Sequence, residues 1–472
     1  MITLPHYSDE TAVFGLGRSG LASVDALLIA GCEVVAWDDN PAQCALAEKR
    51  GATIRDLNTD FGQPARLVVS PGIALTHPAP HPIIEAAHQH GTEIIGDMDL
   101  FQAGLDMWRA AHEDAKGSVC VIGITGTNGK STSTALIGHM LQEAGWQTQI
   151  GGNIGTPILQ LDAPTQGVQN AYVLEASSYQ LALNQSLNCD IGVLTNVTPD
   201  HLERHGSMAG YVAAKQNLFA EGKSQYLRVI GTDEEAGAAM AAALQSQAVD
   251  IKQVSSRDPQ ADIGFSAEGL HRAGAQVMSL DYMNALRGLH NAQNAAVAFC
   301  VGEALGLSVM AMTEAFVSFP GLAHRMQPIE RFASLTFVND SKATNADAAR
   351  QALRACRNIY WIVGGRAKQG GLEGLENSLA EVRHAYLIGE AATPFANQLA
   401  TMAPTLPSQT YDKLDIAVAA AADQALSDDL DEATILLSPA AASFDKFANF
   451  EARGDAFCAS VTAWKQRQEG WM

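Results

Sequence analysis

Two glycine-bearing loops in this chain each follow a short apolar run and precede a helical pattern, and both carry residues suited to phosphate chemistry. The richer one is Gly126-Thr127-Asn128-Gly129-Lys130-Ser131-Thr132. Its small residues let backbone N–H groups approach phosphate oxygens, and the helix behind it offers a positive N-terminus. Lys130 can reach terminal phosphates, and Ser131 can place an oxygen on Mg²⁺. Generic spacing would put the first glycine of such a loop at position 124, which is Ile124, so this is a compact form. The other loop, Gly15-Leu16-Gly17-Arg18-Ser19-Gly20, fits G-x-G-x-x-G, with Asp38 or Asp39 at the distance of an acidic ribose contact. Such a loop serves either a dinucleotide or the diphosphate of a UDP-sugar. The phosphate loop later in the same chain favours UDP.

Between and beyond these loops stand isolated candidates. Glu175 closes an apparent strand in Leu174-Glu-Ala-Ser-Ser-Tyr-Gln-Leu181, from which a carboxylate can hold a hard cation. Alone it would read as a solvated loop glutamate. His201, in Asn196-Val-Thr-Pro-Asp-His201, and Lys215 would alone read as a satisfied polar ring and a helix-face charge.

The elements that must position these residues are alternating apolar runs and helical patterns. Thr11 to Gly15, Glu33 to Trp37 and Arg66 to Ser70 read as strands around a helix from about Ser19 to Ala30. Val119 to Thr125, Ala171 to Glu175 and Ile191 to Val197 read as strands of a second region. Alternation restarts after Pro320-Gly321 with Thr336 to Asn339, Ile359 to Gly364, Ala385 to Ile388 and Ala433 to Leu437, and a helix from Leu414 to Leu426. Strands alternating with helices imply parallel sheets with right-handed crossovers. The expected fold is therefore α/β in three domains, 1–98, 99–321 and 322–472. The outer two are Rossmann-like, and the central one is P-loop ATPase-like with a mainly parallel sheet.

A length of 472 residues exceeds what one core organises, consistent with that count. With 47% hydrophobic and 17% charged residues the chain should fold almost throughout. A net charge of −21 disfavours nucleic acid and anionic membranes as partners. Seven cysteines without CxxC spacing fit reduced thiols in the cytoplasm better than disulfides or a zinc site. The N-terminus lacks the basic start and apolar core of a signal peptide, and no apolar run is long enough to cross a bilayer. The expectation is a cytoplasmic monomer without membrane insertion.

Taken in order, the compact phosphate loop, Glu175, the Asp200-His201 pair, Lys215 and Gly288-Leu-His290-Asn291-Ala-Gln-Asn294 resemble the Mur ligase family. The resemblance runs from Gly15 to Phe457. It implies an ATP-dependent amide ligase of peptidoglycan synthesis, with Gly126 to Thr132, Asn294, Arg325 and Asp340 at ATP and Asn294 on the adenine side. It implies two Mg²⁺ ions held by Ser131, Glu175, His201 and a carbamylated Lys215, with Lys130, His201 and Lys215 catalytic. Leu16, Arg18, Ser19, Asp38, Gly72 and Asn153 would hold the UDP end of UDP-N-acetylmuramoyl-L-alanine. The Ser438-Pro-Ala-Ala-Ala-Ser443-Phe444-Asp445 run, with Phe447, Phe450, Arg453 and Gly454, points to D-glutamate as the incoming amino acid. Lys342, Thr344, Lys368, Ser443, Phe444 and Phe450 would then bind it. Phe444 stands where the family pattern leads one to expect leucine.

Overall fold

The computed structural model describes residues 1–220, 225–245, 249–279, 289–368 and 370–470. Gly288, read with the nucleotide segment, lies outside them. The chain divides into two compact units, Met1–Phe319 and Pro320–Met472.

The first unit holds two sheets. In the smaller, the strands run in the order Thr53–Ile54, Val34–Trp37, Thr11–Phe14, Arg66–Val69 and Glu93–Ile95, all parallel. The first strand in the chain is thus central, and the order reverses at its C-terminal end, where the Gly15 loop begins. Open α/β sheets bind ligands in the crevice at such a reversal. The flanking helices carry local start and stop signals. Pro41 opens one after Asn40, whose side chain accepts from Ala42 N at 3.0 Å, and left-handed Gly51 closes it. Such a cap is worth about 1 kcal/mol.

The larger sheet repeats this plan. Among the described residues its order is Ala275–Ser279, Gly269–Arg272, Ile263–Ser266, Asp250–Val254, Leu227–Gly231, Ile191–Leu194, Val119–Thr125, Asn170–Glu175 and Gln147–Gly152. Only the hairpin pairings at the Ala275–Ser279 edge are antiparallel. Every residue of Val119–Thr125 is buried, because helices cover both faces of a parallel sheet. The order again reverses beside this strand, at the phosphate loop.

The strand expected over Ile191 to Val197 ends at Leu194. Thr195 N still donates to Thr125 O, while the Thr195 side chain and Asn196 bond the phosphate loop. The helix Asp97–Ala111 runs across residue 98.

The second unit has the strand order Gln327–Phe332, Leu335–Asn339, Ala433–Leu437, Ile359–Gly364, Val382–Ile388 and Ser408–Tyr411. All neighbours are parallel except the first pair. The alanine-rich helix Leu414–Ser427 packs on one face with Trp464, its small side chains allowing close approach. Among the described residues, no helix is long and apolar enough to cross a membrane.

Candidate functional site

At the phosphate loop, the strand Val119–Thr125 ends, the chain turns through Gly126 to Gly129, and the helix Lys130–Glu143 begins. Gly129 has φ +82°, and a Cβ there would lie 2.2 Å from Asn294 Oδ1, so only glycine fits the turn. The residues that left the neighbouring strand clasp the loop. Thr127 N donates to Asn196 O at 2.9 Å, Asn128 N donates to Asn196 Oδ1 at 2.9 Å, and Thr195 Oγ1 donates to Asn128 O at 2.6 Å.

Two lysines converge on one carbonyl. Lys130 Nζ donates to Gly126 O at 2.9 Å and to Thr127 O at 2.8 Å, while Lys215 Nζ donates to Gly126 O at 2.8 Å. Lys215 is 1% exposed and lies 4.4 Å over the Tyr211 ring. Burial, and then the Lys130 charge, push its pKa down to about 7. A neutral amine is therefore accessible near neutrality, which an exposed lysine would not offer.

Glu175, 1% exposed, ends the adjacent parallel strand. Its Oε1 accepts from Asn153 Nδ2 at 2.7 Å, and its Oε2 is buried with no hydrogen-bond partner. A buried carboxylate oxygen left open beside a phosphate loop fits Mg²⁺, a hard cation that takes one or two carboxylates and draws its other ligands from phosphate and water. Among the described residues, no group of three or more His, Cys, Asp or Glu side chains gathers into a metal cage.

His201 adopts a left-handed φ of +52° ahead of a short helix. Its Nδ1 is 2.9 Å from the Tyr179 hydroxyl, and its Nε2 is 3.4 Å from Asp200 Oδ2. Tyr211 bridges the region, since its ring centroid is 6.2 Å from that of His201 and lies beneath Lys215. Tyr179, Tyr211 and Asn196 are not legible in the sequence as site residues, because tyrosines and asparagines at these separations carry no local signal. Asn294, expected on the adenine side, is buried behind the phosphate loop. It accepts from Ser133 Oγ at 3.1 Å and donates to Asn291 Oδ1 at 3.0 Å.

The other glycine loop is built differently. A Cβ on Gly20 would fall 1.8 Å from Gly15 O, so helix and turn touch backbone to backbone. Asp38, expected at a ribose, accepts from Leu16 N at 2.6 Å and from Asn40 N at 2.8 Å. Ser19 Oγ donates to buried Asp97 at 2.5 Å. Arg18 is exposed and donates to Gly155 O, bringing the Gly151 to Gly155 segment with Asn153 to the loop. Exposed Gly72 lies between Pro71 and Ile73, whose carbonyls both accept from Arg204.

In the second unit, the segments after three adjacent parallel strands hold the remaining candidates except Arg325, which precedes the strand Gln327–Phe332. Asp340 accepts from Met326 N at 3.1 Å and from Ser438 Oγ at 2.8 Å, and burial pushes its pKa up to about 7. Arg325 is half-buried two residues after Ala323, with its N donating to Leu322 O at 3.3 Å. Lys342 Nζ stands 5.1 Å over the Phe450 ring, and Thr344 N donates to Lys342 O at 2.8 Å. Lys368 is exposed, Ser443 is buried, and Phe444 is 65% exposed.

Loop, lysine pair and open carboxylate define an enzyme that handles a nucleoside triphosphate with a divalent cation. The chain matches the MurD-like N-terminal domain of Mur ligases over residues 9–96, the Mur ligase middle domain over 124–302 and the Mur glutamate ligase domain over 324–440. It is 45% identical over 471 residues to the UDP-N-acetylmuramoylalanine–D-glutamate ligase of Rhizobium johnstonii, covering 98% of this chain and 97% of that one. Identity to the enzyme of the same name from Brucella abortus is 45% over 472 residues, covering 98% of each. Among solved structures, the UDP-N-acetylmuramate–alanine ligase of Thermotoga maritima superposes with a TM-score of 0.58 at 15% identity, covering 97% of this chain and 100% of that one. MurF of Acinetobacter baumannii gives 0.55 at 16%, covering 90% of each; at such identities these two structures speak for the fold alone. The chain belongs to the Mur ligase family. It is an ATP-dependent ligase that forms amide bonds on a peptidoglycan precursor.

Proposed function

We propose that this chain adds D-glutamate to UDP-N-acetylmuramoyl-L-alanine, as a cytoplasmic monomer with domains 1–98, 99–321 and 322–472. The observation that carries the reading is its end-to-end likeness to ligases named for that reaction.

ATP transfers its terminal phosphoryl to the alanyl carboxylate, giving an acyl phosphate and ADP. The D-glutamate amine then attacks the acyl carbon, phosphate leaves, and the amine loses a proton. Both steps concentrate negative charge, so fixed cations and N–H donors contribute most. The backbone of Gly126 to Gly129 cradles the phosphates, Lys130 meets the transferring group, and Ser131 and Thr132 open the helix beneath it. Asn294 keeps that loop in shape from behind, and Arg325 and Asp340 are assigned to ATP. Ser131, Glu175, His201 and carbamylated Lys215 would hold two Mg²⁺ ions, which would supply charge neutralisation on the phosphates. The buried Lys215 amine, whose neutral form is accessible near neutrality because burial lowers its pKa, adds to CO₂ and loses a proton to leave a carbamate oxygen anion. A ¹³C resonance from labelled CO₂, present in the wild type and missing in Lys215→Ala, tests that modification.

Leu16, Arg18, Ser19, Asp38, Gly72 and Asn153 form the UDP end. Lys342, Thr344, Lys368, Ser443, Phe444 and Phe450 receive the diacid. The decisive assay is ADP release with UDP-N-acetylmuramoyl-L-alanine and D-glutamate, L-glutamate or a diamino acid. Turnover requiring D-glutamate is expected. Turnover only with another acceptor overturns the specificity and keeps the ligase.

A further inference from the structure

Among the described residues of the second unit, Arg453 is a buried charged side chain that the reaction above leaves unused. It lies in the first turns of the helix Phe450–Glu469 and is 1% exposed. Its guanidinium spreads over three loops. Nε donates to Ser341 Oγ at 3.0 Å and Nη2 to Ser341 O at 2.8 Å, while Nη1 donates to Ala441 O at 3.0 Å and to Gly364 O at 3.5 Å. Ser341 Oγ passes the connection on to Phe450 O at 2.8 Å. A guanidinium has five N–H groups, and these four bonds occupy most of them.

Every acceptor is neutral. Asp445 acts on the group only at longer range, and burial holds the Arg453 pKa down to about 10, so Arg453 remains a cation at neutral pH. A buried charge that served packing alone would be replaceable by an apolar side chain of similar volume without loss. The loops it ties follow Leu335–Asn339, Ile359–Gly364 and Ala433–Leu437, which are adjacent in the sheet. Their C-terminal ends are where an open parallel sheet binds its ligand. Each loop carries part of the proposed amino-acid site: Ser341 precedes Lys342 and Thr344, Gly364 leads to Lys368, and Ala441 leads to Ser443.

We propose that Arg453 is the positioning residue of the amino-acid end: its fork holds the three loops in one arrangement, and its charge, hydrogen-bonded to neutral acceptors, favours a dicarboxylate there without touching it. This rests on the D-glutamate reading above. Lysine at this position keeps the charge and loses the fork, whereas methionine loses both.

In the full-length protein, with each substrate varied in turn, Arg453→Lys raises KM for D-glutamate about tenfold and Arg453→Met about a hundredfold. KM for ATP, KM for the UDP precursor and kcat at saturating D-glutamate stay within about threefold. A KM for D-glutamate that does not move in folded variants, or a parallel loss in all three KM values and kcat, overturns the proposal. Should both variants fail to fold, Ser341→Ala removes the Nε acceptor and the donor to Phe450 O, leaves Ser341 O to Nη2, and raises KM for D-glutamate about threefold. No change there overturns the proposal equally. The wild-type assay tests the parent reading separately: if the wild type uses a different amino acid, D-glutamate specificity falls, and the same KM split is read on that acceptor.

Discussion

The loops at Gly15 and Gly126 share one plan, a central parallel strand ending in a glycine turn that starts a helix, yet their surroundings differ in charge and burial. Around Gly126 two lysines share a carbonyl, one of them almost fully buried, and a carboxylate oxygen beside them lacks a partner. Around Gly15 the polar groups satisfy one another: Asp38 holds Leu16 N, Ser19 holds Asp97, and the cation is exposed Arg18. A loop whose polar groups are already paired can grip a diphosphate. Desolvated charge is what assists a reaction, because low dielectric strengthens its pull on developing charge.

The two loops should therefore respond differently to perturbation. Chelating Mg²⁺ separates them most widely. ADP release falls to background while the UDP precursor still raises the melting temperature of the protein. Loss of that thermal shift on chelation would break the comparison. Next is Lys130→Ala, expected to lower kcat by about a thousandfold with an unchanged circular dichroism spectrum, since it removes a fixed cation from the reacting phosphate. Gly20→Ala drives a Cβ to 1.8 Å from Gly15 O. KM for the UDP precursor should rise at least about tenfold and stability fall by about 1–3 kcal/mol, with KM for ATP unaltered. Arg18→Ala is the mildest. Its exposed hydrogen bond is worth up to about 1 kcal/mol, so KM for the UDP precursor rises about threefold. A larger effect on kcat than on KM would show that the first loop takes part in the chemistry as well as in binding.

Legibility followed the range of the interactions. Strands such as Val119–Thr125, Ile359–Gly364 and Ala433–Leu437 have the bounds expected of them, because a strand buried on both faces is a continuous apolar run. Gln147–Gly152 went unread. It is a polar edge strand whose place comes from its ladder with Asn170–Glu175 rather than from apolar periodicity. Gly269–Arg272 and Ala275–Ser279 were missed for a similar reason, since their hairpin mixes polar and apolar residues without alternation. The end of Ile191–Leu194 was overrun because Thr195 and Val197 favour strand locally, while bonds to the phosphate loop draw the chain away.

By itself the sequence determined the strand, loop and helix at each glycine turn and the residue types offered there, because backbone conformation and helix starts depend on neighbours within a few positions. Only the tertiary structure decided which of those side chains are spent on the protein itself. Lys215 meets a carbonyl 89 residues away, Asn294 reaches Ser133 across 161, and Arg453 reaches Ser341 across 112. Strand order sets such meetings, and burial then decides whether a charge is screened by water or left to act.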